Sequence, residues 1–434
     1  MIEKTRCIKD TSKLTRNLPT MRYITPDYVY LPIINTRCDC GEVFVKVGDK
    51  VKIGQIIGNR KASFFEQPIH STVSGEVTGF KKKWHRSGKL LECIEIKNDK
   101  TETLDTSIIK RRSNEEINNL TREDYINIIK DSALVGLGGS GFPTYIKMQS
   151  KTPVHTILIN GIECEPYLTS DYKIMFDMPE RVLKGLIYAM KAMNAKVGYI
   201  CLKKKYKDLK ESFDNIIKKR YNNANISVKS VGNYYPQGWE IELIKSALKI
   251  KVPSGTLPTD SGVLVLNVST IVGFYRAIKY NEPVINRYFT VGGDGINYPQ
   301  SFRLRIGTQI KDLLTLCDGY NNDSPEKVVV LGGPMMGQNL LRDDAIVSKT
   351  STSLIVLNKE TYKEEPCIRC ASCSYTCPVS LMPVLIRNSV KTKNLNALKI
   401  FNVKKCMECG LCSYTCPSKI HLTEFVRTAK RMVK

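Results

Sequence analysis

No uninterrupted apolar stretch in this 434-residue chain is long enough to span a bilayer. The best candidate, residues 262–275, is short and broken by Asn267, Ser269 and Thr270, so any membrane association is expected to be peripheral. No secretory leader is recognisable, and a disulfide framework is a feature of short secreted domains. Acidic side chains are also few: 42 Asp and Glu stand against 66 Lys and Arg, a formal net charge of +24. Such a balance raises the question of nucleic-acid binding. The basic residues, however, lie in short scattered runs (81–83, 110–112, 203–205, 218–220) without interleaved aromatics or a nucleic-acid motif. They read as a lysine-rich solvated surface, and no nucleic-acid partner is expected. The length allows about two to four domains, each with its own core.

Cysteine, by contrast, is plentiful, with 15 in the chain. Cys367, Cys370, Cys373 and Cys377 precede Pro378, and Cys406, Cys409, Cys412 and Cys416 precede Pro417. Each run has the Cys-x-x-Cys-x-x-Cys-x-x-x-Cys-Pro spacing that wraps a cubane [4Fe–4S] cluster, so two clusters are expected. Three closely spaced thiolates reach three corners of one cube, and the fourth cysteine of each run points to the other cluster. Crossed ligation follows: Cys367, Cys370, Cys373 and Cys416 for cluster one, Cys406, Cys409, Cys412 and Cys377 for cluster two. A pair of zinc sites is the rival reading, but zinc would leave the third cysteine and the trailing Cys-Pro of each run unexplained. Free thiolates for iron imply a reducing, cytoplasmic compartment.

Residues 43–57 and 69–80 alternate apolar and polar side chains around Gly-containing turns, the pattern of short antiparallel strands. The segment resembles the barrel-sandwich fold of biotinyl and lipoyl domains, but lacks the modifiable Met-Lys hairpin, so no carrier role is expected. From about residue 122 the pattern changes. Strand-like runs at 156–160, 197–202, 226–231 and 263–268 are separated by helical stretches near 179–195, 206–221 and 239–250, which reads as an α/β domain. Residues 288–357 are again strand-rich, with a helix around 310–317. The remainder is a helical cluster domain, with leucines at helical spacing between its cysteine runs.

Residues 136–144 contain G-x-G-x-x-G, but the preceding segment, 124–133, reads as a helix rather than the buried strand that a dinucleotide fingerprint requires. These glycines can bring backbone N–H groups close to a phosphate, with Lys147 as counter-charge, or can form a plain turn. The order of motifs carries more. GLGGSGFPTYIKM, INGIECEPYLTSDY at 159–172, YYPQGWE at 234–240 and PSGTLPTDSGVLVLNVST at 253–270 are followed by TVGGDGINYP, GGPMMG and the paired cysteine runs. The chain resembles, over nearly its whole length, the RnfC family, the RnfC component of the Rnf electron-transport complex. Its central part is similar to the NADH- and FMN-binding subunit of respiratory complex I.

The resemblance implies that Gly136, Gly138, Gly139, Gly141, Phe142 and Lys147 line an FMN and NADH cleft. Asn160, Glu163 and Glu165 would lie beside the flavin ring and the ribose. Tyr235, Gly238 and Glu240 would close the opposite wall, and Asn267 and Thr270 would hold the flavin phosphate. Binding would be non-covalent, because no flavinylation motif is evident. There are three departures. Ile162 stands where the complex I pattern is acidic. Trp239 stands where the Rnf family usually has glycine, which bears on nucleotide access. Residues 35–41, Asn-Thr-Arg-Cys-Asp-Cys-Gly, replace the usual Gln-His-x-Gly. Cys38 and Cys40 form either a redox dithiol or two unpaired cysteines in a turn. The dithiol would resemble soluble relatives such as the electron-transfer protein associated with proline reductase. His70 is expected to be a surface or packing residue.

The expected architecture is a multidomain α/β and α+β protein. It comprises an N-terminal extension (1–27), a barrel-sandwich β domain (28–100), a complex-I-like FMN/NADH-binding domain (120–285), a ubiquitin-like β-grasp, soluble-ligand-binding module (286–360) and a helical dicluster ferredoxin-like domain (361–434). The expected activity is an NADH-dependent oxidoreductase and electron-transfer subunit. Electrons from NADH would pass through FMN and two [4Fe–4S] clusters to a partner, with the chemistry borne by the cofactors and no catalytic side chain. The partner would be the other Rnf subunits on the cytoplasmic side of a membrane, as in an ion translocase, or a soluble reductase or ferredoxin-like acceptor. The basic surface would suit an acidic electron carrier or anionic lipid. From a different class, Trp239 would permit a non-enzymatic scaffold with a degenerate nucleotide site.

Overall fold

The computed structural model describes residues 6–9 and 11–433. The strands Ile226–Val231, Val197–Lys203, Thr156–Asn160 and Val263–Asn267 lie side by side in that order, all parallel. Ile157, Leu158 and Ile159, with Val263, Leu264, Val265 and Leu266, are buried, as expected for strands covered on both faces. The first of these strands in sequence is flanked by the second on one side and the fourth on the other. The strand order therefore reverses between Thr156–Asn160 and Val263–Asn267, and a crevice opens at the carboxyl ends of such a pair. Asn160 and Asn267 are register partners at that end.

The helices around this sheet carry their own start and stop signals. Arg122–Asp131 begins with a reciprocal capping box between Thr121 and Asp124. Pro179–Met193 has proline in its first turn and ends on Asn194 in the left-handed conformation, φ 50°. Val268–Tyr280 is capped by the Asn267 side chain, which accepts from Ser269 N at 2.8 Å.

The barrel-sandwich consists of two antiparallel sheets. One orders Tyr28–Pro32, Leu90–Asn98, Gly75–Trp84 and Lys50–Val51; the other orders Cys40–Val43, Ile56–Lys61 and Glu66–His70. Its core is continuous with that of the parallel-sheet domain: Val29, Ile57, Val77 and Ile96 belong to the same buried cluster as Ile129, Ile159 and Phe274. The six-stranded β-grasp sheet has its own core around Phe289, Val291, Phe302, Leu304, Ile310 and Leu313. In the C-terminal region, helices Pro383–Lys391 and Leu422–Met432 pack over Ile386, Leu398, Val403 and Val426.

The described part of the expected N-terminal extension, residues 1–27, packs against the other domains. Thr20–Tyr23 adds an edge strand to the β-grasp sheet, parallel to residues 301–304. Farther upstream, the Arg6 side chain donates to Thr376 O at 3.0 Å and Cys377 O at 3.2 Å, while Arg6 O accepts from Tyr235 N at 3.0 Å. This segment straps the parallel-sheet domain to the cysteine-rich one. Among the described residues, no helix is long and apolar enough to cross a membrane.

Candidate functional site

The crevice at the strand reversal opens into a cavity of about 610 Å³, a size suited to a cofactor. The glycine loop forms one wall. It follows the helix Arg122–Asp131, not a strand, and its backbone is pinned by Gly136 N to Phe142 O at 2.8 Å and Leu137 N to the Thr270 hydroxyl at 2.9 Å. A Cβ on Gly138 would lie 3.0 Å from the Asn267 side chain, and Gly139, at φ 108°, has the left-handed conformation that favours glycine. On the opposite wall, a Cβ on Gly238 would come within 2.5 Å of Ile162 O. Asn160 holds that wall by donating to Gly238 O at 2.8 Å and accepting from Ile162 N at 3.0 Å. Lys147 reaches in and pairs with Glu240 at 2.5 Å.

Glu163, Asp171 and Glu165 all line the cavity. Glu163 caps the helix Ser170–Asp177, accepting from the Ser170 hydroxyl at 3.0 Å and Asp171 N at 3.1 Å. Burial, reinforced by Asp171, pushes Glu163 up to about 7. Asp171 is itself raised by burial, although Asn267 donates to it at 2.7 Å. Burial also raises Glu165 to about 7. One Glu165 oxygen accepts from Met335 N at 2.9 Å, and the other is buried without a hydrogen-bond partner among the described residues. An unpartnered acceptor, a glycine cradle and a lysine opposite acids make a donor and acceptor set that fits a flavin mononucleotide and a nucleotide ribose.

Twelve of the fourteen residues carried over by resemblance line this cavity: Gly136, Gly138, Gly139, Phe142, Lys147, Asn160, Glu163, Glu165, Gly238, Glu240, Asn267 and Thr270. Gly141 does not line it; it borders a second cavity behind the loop. Tyr235 lies behind the wall, buried, with its hydroxyl donating to Cys409 O at 2.8 Å. Trp239 borders the cavity, as do Arg86, Asp171, Thr352, Met407 and the glycines of GGPMMG, which sequence reasoning did not assign to it. The signal for that loop was its three glycines: a Cβ on Gly333 would fall 2.3 Å from the Glu165 carboxyl.

The eight motif cysteines cluster in two places. Cys367, Cys370, Cys373 and Cys416 surround a cavity of about 500 Å³, with Val384, Leu385, Ile420 and Leu422 among its other lining residues. Cys377 acts electrostatically on Cys406, Cys409 and Cys412. Among the described residues, no three His, Cys, Asp or Glu side chains converge on a point for a single metal ion. Soft thiolates ringing a cavity of this size fit a cubane. The two halves repeat each other in detail: left-handed residues recur at Arg369 and Glu408, Ala371 and Gly410, Ser380 and Lys419. Arg369 N donates to the Cys367 sulfur at 3.4 Å as Glu408 N does to Cys406 at 3.3 Å. They differ where the second half meets the first cavity. Gly410 replaces Ala371, and a Cβ there would press to 2.9 Å from Met335 O. Tyr235, Cys409 and Leu411 form one buried cluster, against which Cys164, Met335 and Met407 pack.

Cys38 is 1% exposed and Cys40 is exposed at the start of its strand, both as free thiols. Burial raises the Cys38 thiol. His70 is buried, not on the surface.

A flavin-sized cleft joined to a duplicated four-thiol module defines the class of the protein, an electron-transfer protein with a flavin-binding and a dicluster domain, and sequence comparison agrees. Residues 7–101 match the RnfC barrel sandwich hybrid domain, 129–276 the Nuo51 FMN-binding domain, 288–339 the SLBB domain and 359–417 the 4Fe-4S dicluster domain. The chain is 34% identical to the C component of the Na(+)-translocating ferredoxin:NAD(+) oxidoreductase complex of Acetobacterium woodii, over 94% of this chain and 91% of that one. It is 32% identical to the C component of the proton-translocating ferredoxin:NAD(+) oxidoreductase complex of Clostridium ljungdahlii, over 87% and 81%. It is 30% identical to the C component of the ion-translocating oxidoreductase complex of Vibrio cholerae, over 89% of this chain but half of that longer one. The chain belongs to the RnfC family.

Proposed function

We propose that this chain carries electrons between NADH and a partner protein, as the RnfC component of an ion-translocating oxidoreductase complex on the cytoplasmic side of a membrane. The observation that carries the reading is the contact between the flavin-sized cavity and the second cysteine set, made by Tyr235 and Met407. FMN bound in this cavity supplies the conversion between the hydride of NADH and single electrons. The glycine loop and the amino end of Val268–Tyr280, with Lys147, would hold its phosphate. Asn160 and the carboxyl groups of Glu163 and Glu165 would orient the ring and the nucleotide. Tyr235 fixes the Cys409 backbone against the cavity wall, which makes the Cys406, Cys409, Cys412 and Cys377 set the proximal one. The Cys367, Cys370, Cys373 and Cys416 set, where Cys370 is exposed, faces the acceptor.

The partner reading rests on relatives that are named as members of ion-translocating complexes and are matched over 91% and 81% of their length. A soluble reductase is the other acceptor that the sequence admits, with exposed Cys40 as its reactive thiol. Fractionation of native cells tests the choice: copurification with membranes supports the complex, and a wholly soluble protein bound to a reductase contradicts it.

A further inference from the structure

Behind the glycine loop lies a smaller cavity of about 60 Å³, between the barrel-sandwich, the loop and the β-grasp module. Its lining includes Arg37, Arg60, His70, His85 and Lys349 and, among the described residues, no Asp or Glu. Arg60 is 7% exposed, and its guanidinium donates only to Pro32 O among the described residues. The acidic groups close enough to act on it are two thiols, Cys38 and Cys93. Lys349 donates to Ala133 O at 2.9 Å and, among the described residues, forms no ion pair. Buried charges are normally paired, and a guanidinium cannot escape the cost by losing its proton. His70, 5% exposed, lines the same cavity, and its Nδ1 has no hydrogen-bond partner among the described residues.

We propose that this cavity is a binding site for a small tetrahedral oxyanion of the phosphate or sulfate class, held by Arg60, Lys349 and His70. The volume exceeds what one water needs and suits one such ion. A bound oxyanion compensates both cations and selects the His70 tautomer with the proton on Nδ1, from which it accepts. It also braces the flavin loop from behind. Arg37, on the cavity wall, already donates to Ser140 O at 2.7 and 3.0 Å, and Gly141 and Thr350 close the same space. The site is separate from the flavin phosphate position, since Lys147 and Asn267 line only the larger cavity.

The test is calorimetric titration of the full chain, loaded with clusters and saturated with FMN, with inorganic phosphate at constant ionic strength. One phosphate per chain is expected. Lys349→Met and His70→Ala should each weaken it about tenfold or more, the loss of a charge-assisted or buried hydrogen bond. Glycerol 3-phosphate, titrated separately, distinguishes a free ion from a phosphate borne by a larger ligand, and binding of either supports an oxyanion site. No saturable binding, or wild-type affinity in both cavity variants, would mean a water-filled cavity and overturn the proposal. If either variant fails to fold, a rise in wild-type melting temperature with phosphate over equal chloride, absent in the surviving variant, serves as the readout.

Discussion

Lys147 and Glu240 meet at 2.5 Å across the larger cavity, so the lysine already has a carboxylate partner before any phosphate arrives. Replacing it with alanine removes the charge that would face the flavin phosphate, and flavin affinity should fall about tenfold or more while iron content is unchanged. Fluorescence titration with FMN beside iron analysis measures both. Glu165 is a different case. Its pKa is raised by burial to about 7 from an ordinary 4.5. The folded state therefore binds the proton more tightly than the unfolded state. The resulting stability is fully present below about pH 4.5 and is lost as pH rises through about 7. Glu165→Gln should flatten that part of the profile and melt at a higher temperature than wild type at about pH 8, since it carries no buried charge. Melting curves from about pH 5 to pH 8 check this; parallel profiles for the two proteins would contradict it. Trp239 borders the larger cavity, so its indole narrows the proposed nucleotide entrance, and Trp239→Gly should lower the KM for NADH without changing iron content.

At the level of elements, the cysteine-rich module was readable because its chemistry is local: three thiols spaced by two residues, repeated once, specify two cubanes and their crossing. In the structure Cys367, Cys370, Cys373 and Cys416 line one cavity, and Cys377, Cys406 and Cys412 lie near Cys409. Cys373→Ala should lower iron to about four per chain and weaken the remaining cluster, because each run supplies a ligand to both. The alternating strands and helices of the central domain were equally legible from periodicity, and Asn160 and Asn267 stand together because both end strands at the order reversal. What could not be read were contacts between distant segments. Arg86 comes from the barrel-sandwich, GGPMMG from the β-grasp sheet and Met407 from the cysteine module, yet all border one cavity. No local pattern marks such meetings. The strand Thr20–Tyr23, only four residues long, was missed because it is a parallel edge strand whose partner, Gln300–Arg305, lies far along the chain.

Across the whole molecule, the proposed order of carriers rests on which half of the duplicated module touches the cavity. Gly410, left-handed at φ 79° and pressed against Met335 O, permits the close approach, and Tyr235 secures it through Cys409 O. Tyr235→Phe leaves that carbonyl unpaired at a cost of about 1 kcal/mol. It should slow cluster reduction while leaving NADH bleaching of the flavin at the wild-type rate. The net charge of +24 should make reduction of an acidic acceptor slow with added salt, as screening removes the steering field. The most direct test is an anaerobic NADH titration of the full chain, containing FMN and about eight iron and eight sulfide, followed by visible absorbance and electron paramagnetic resonance. The predicted result is that flavin absorbance bleaches and reduced cubane signals appear in the same titration. A flavin that bleaches with the clusters left oxidised, in protein with full iron content, would contradict it.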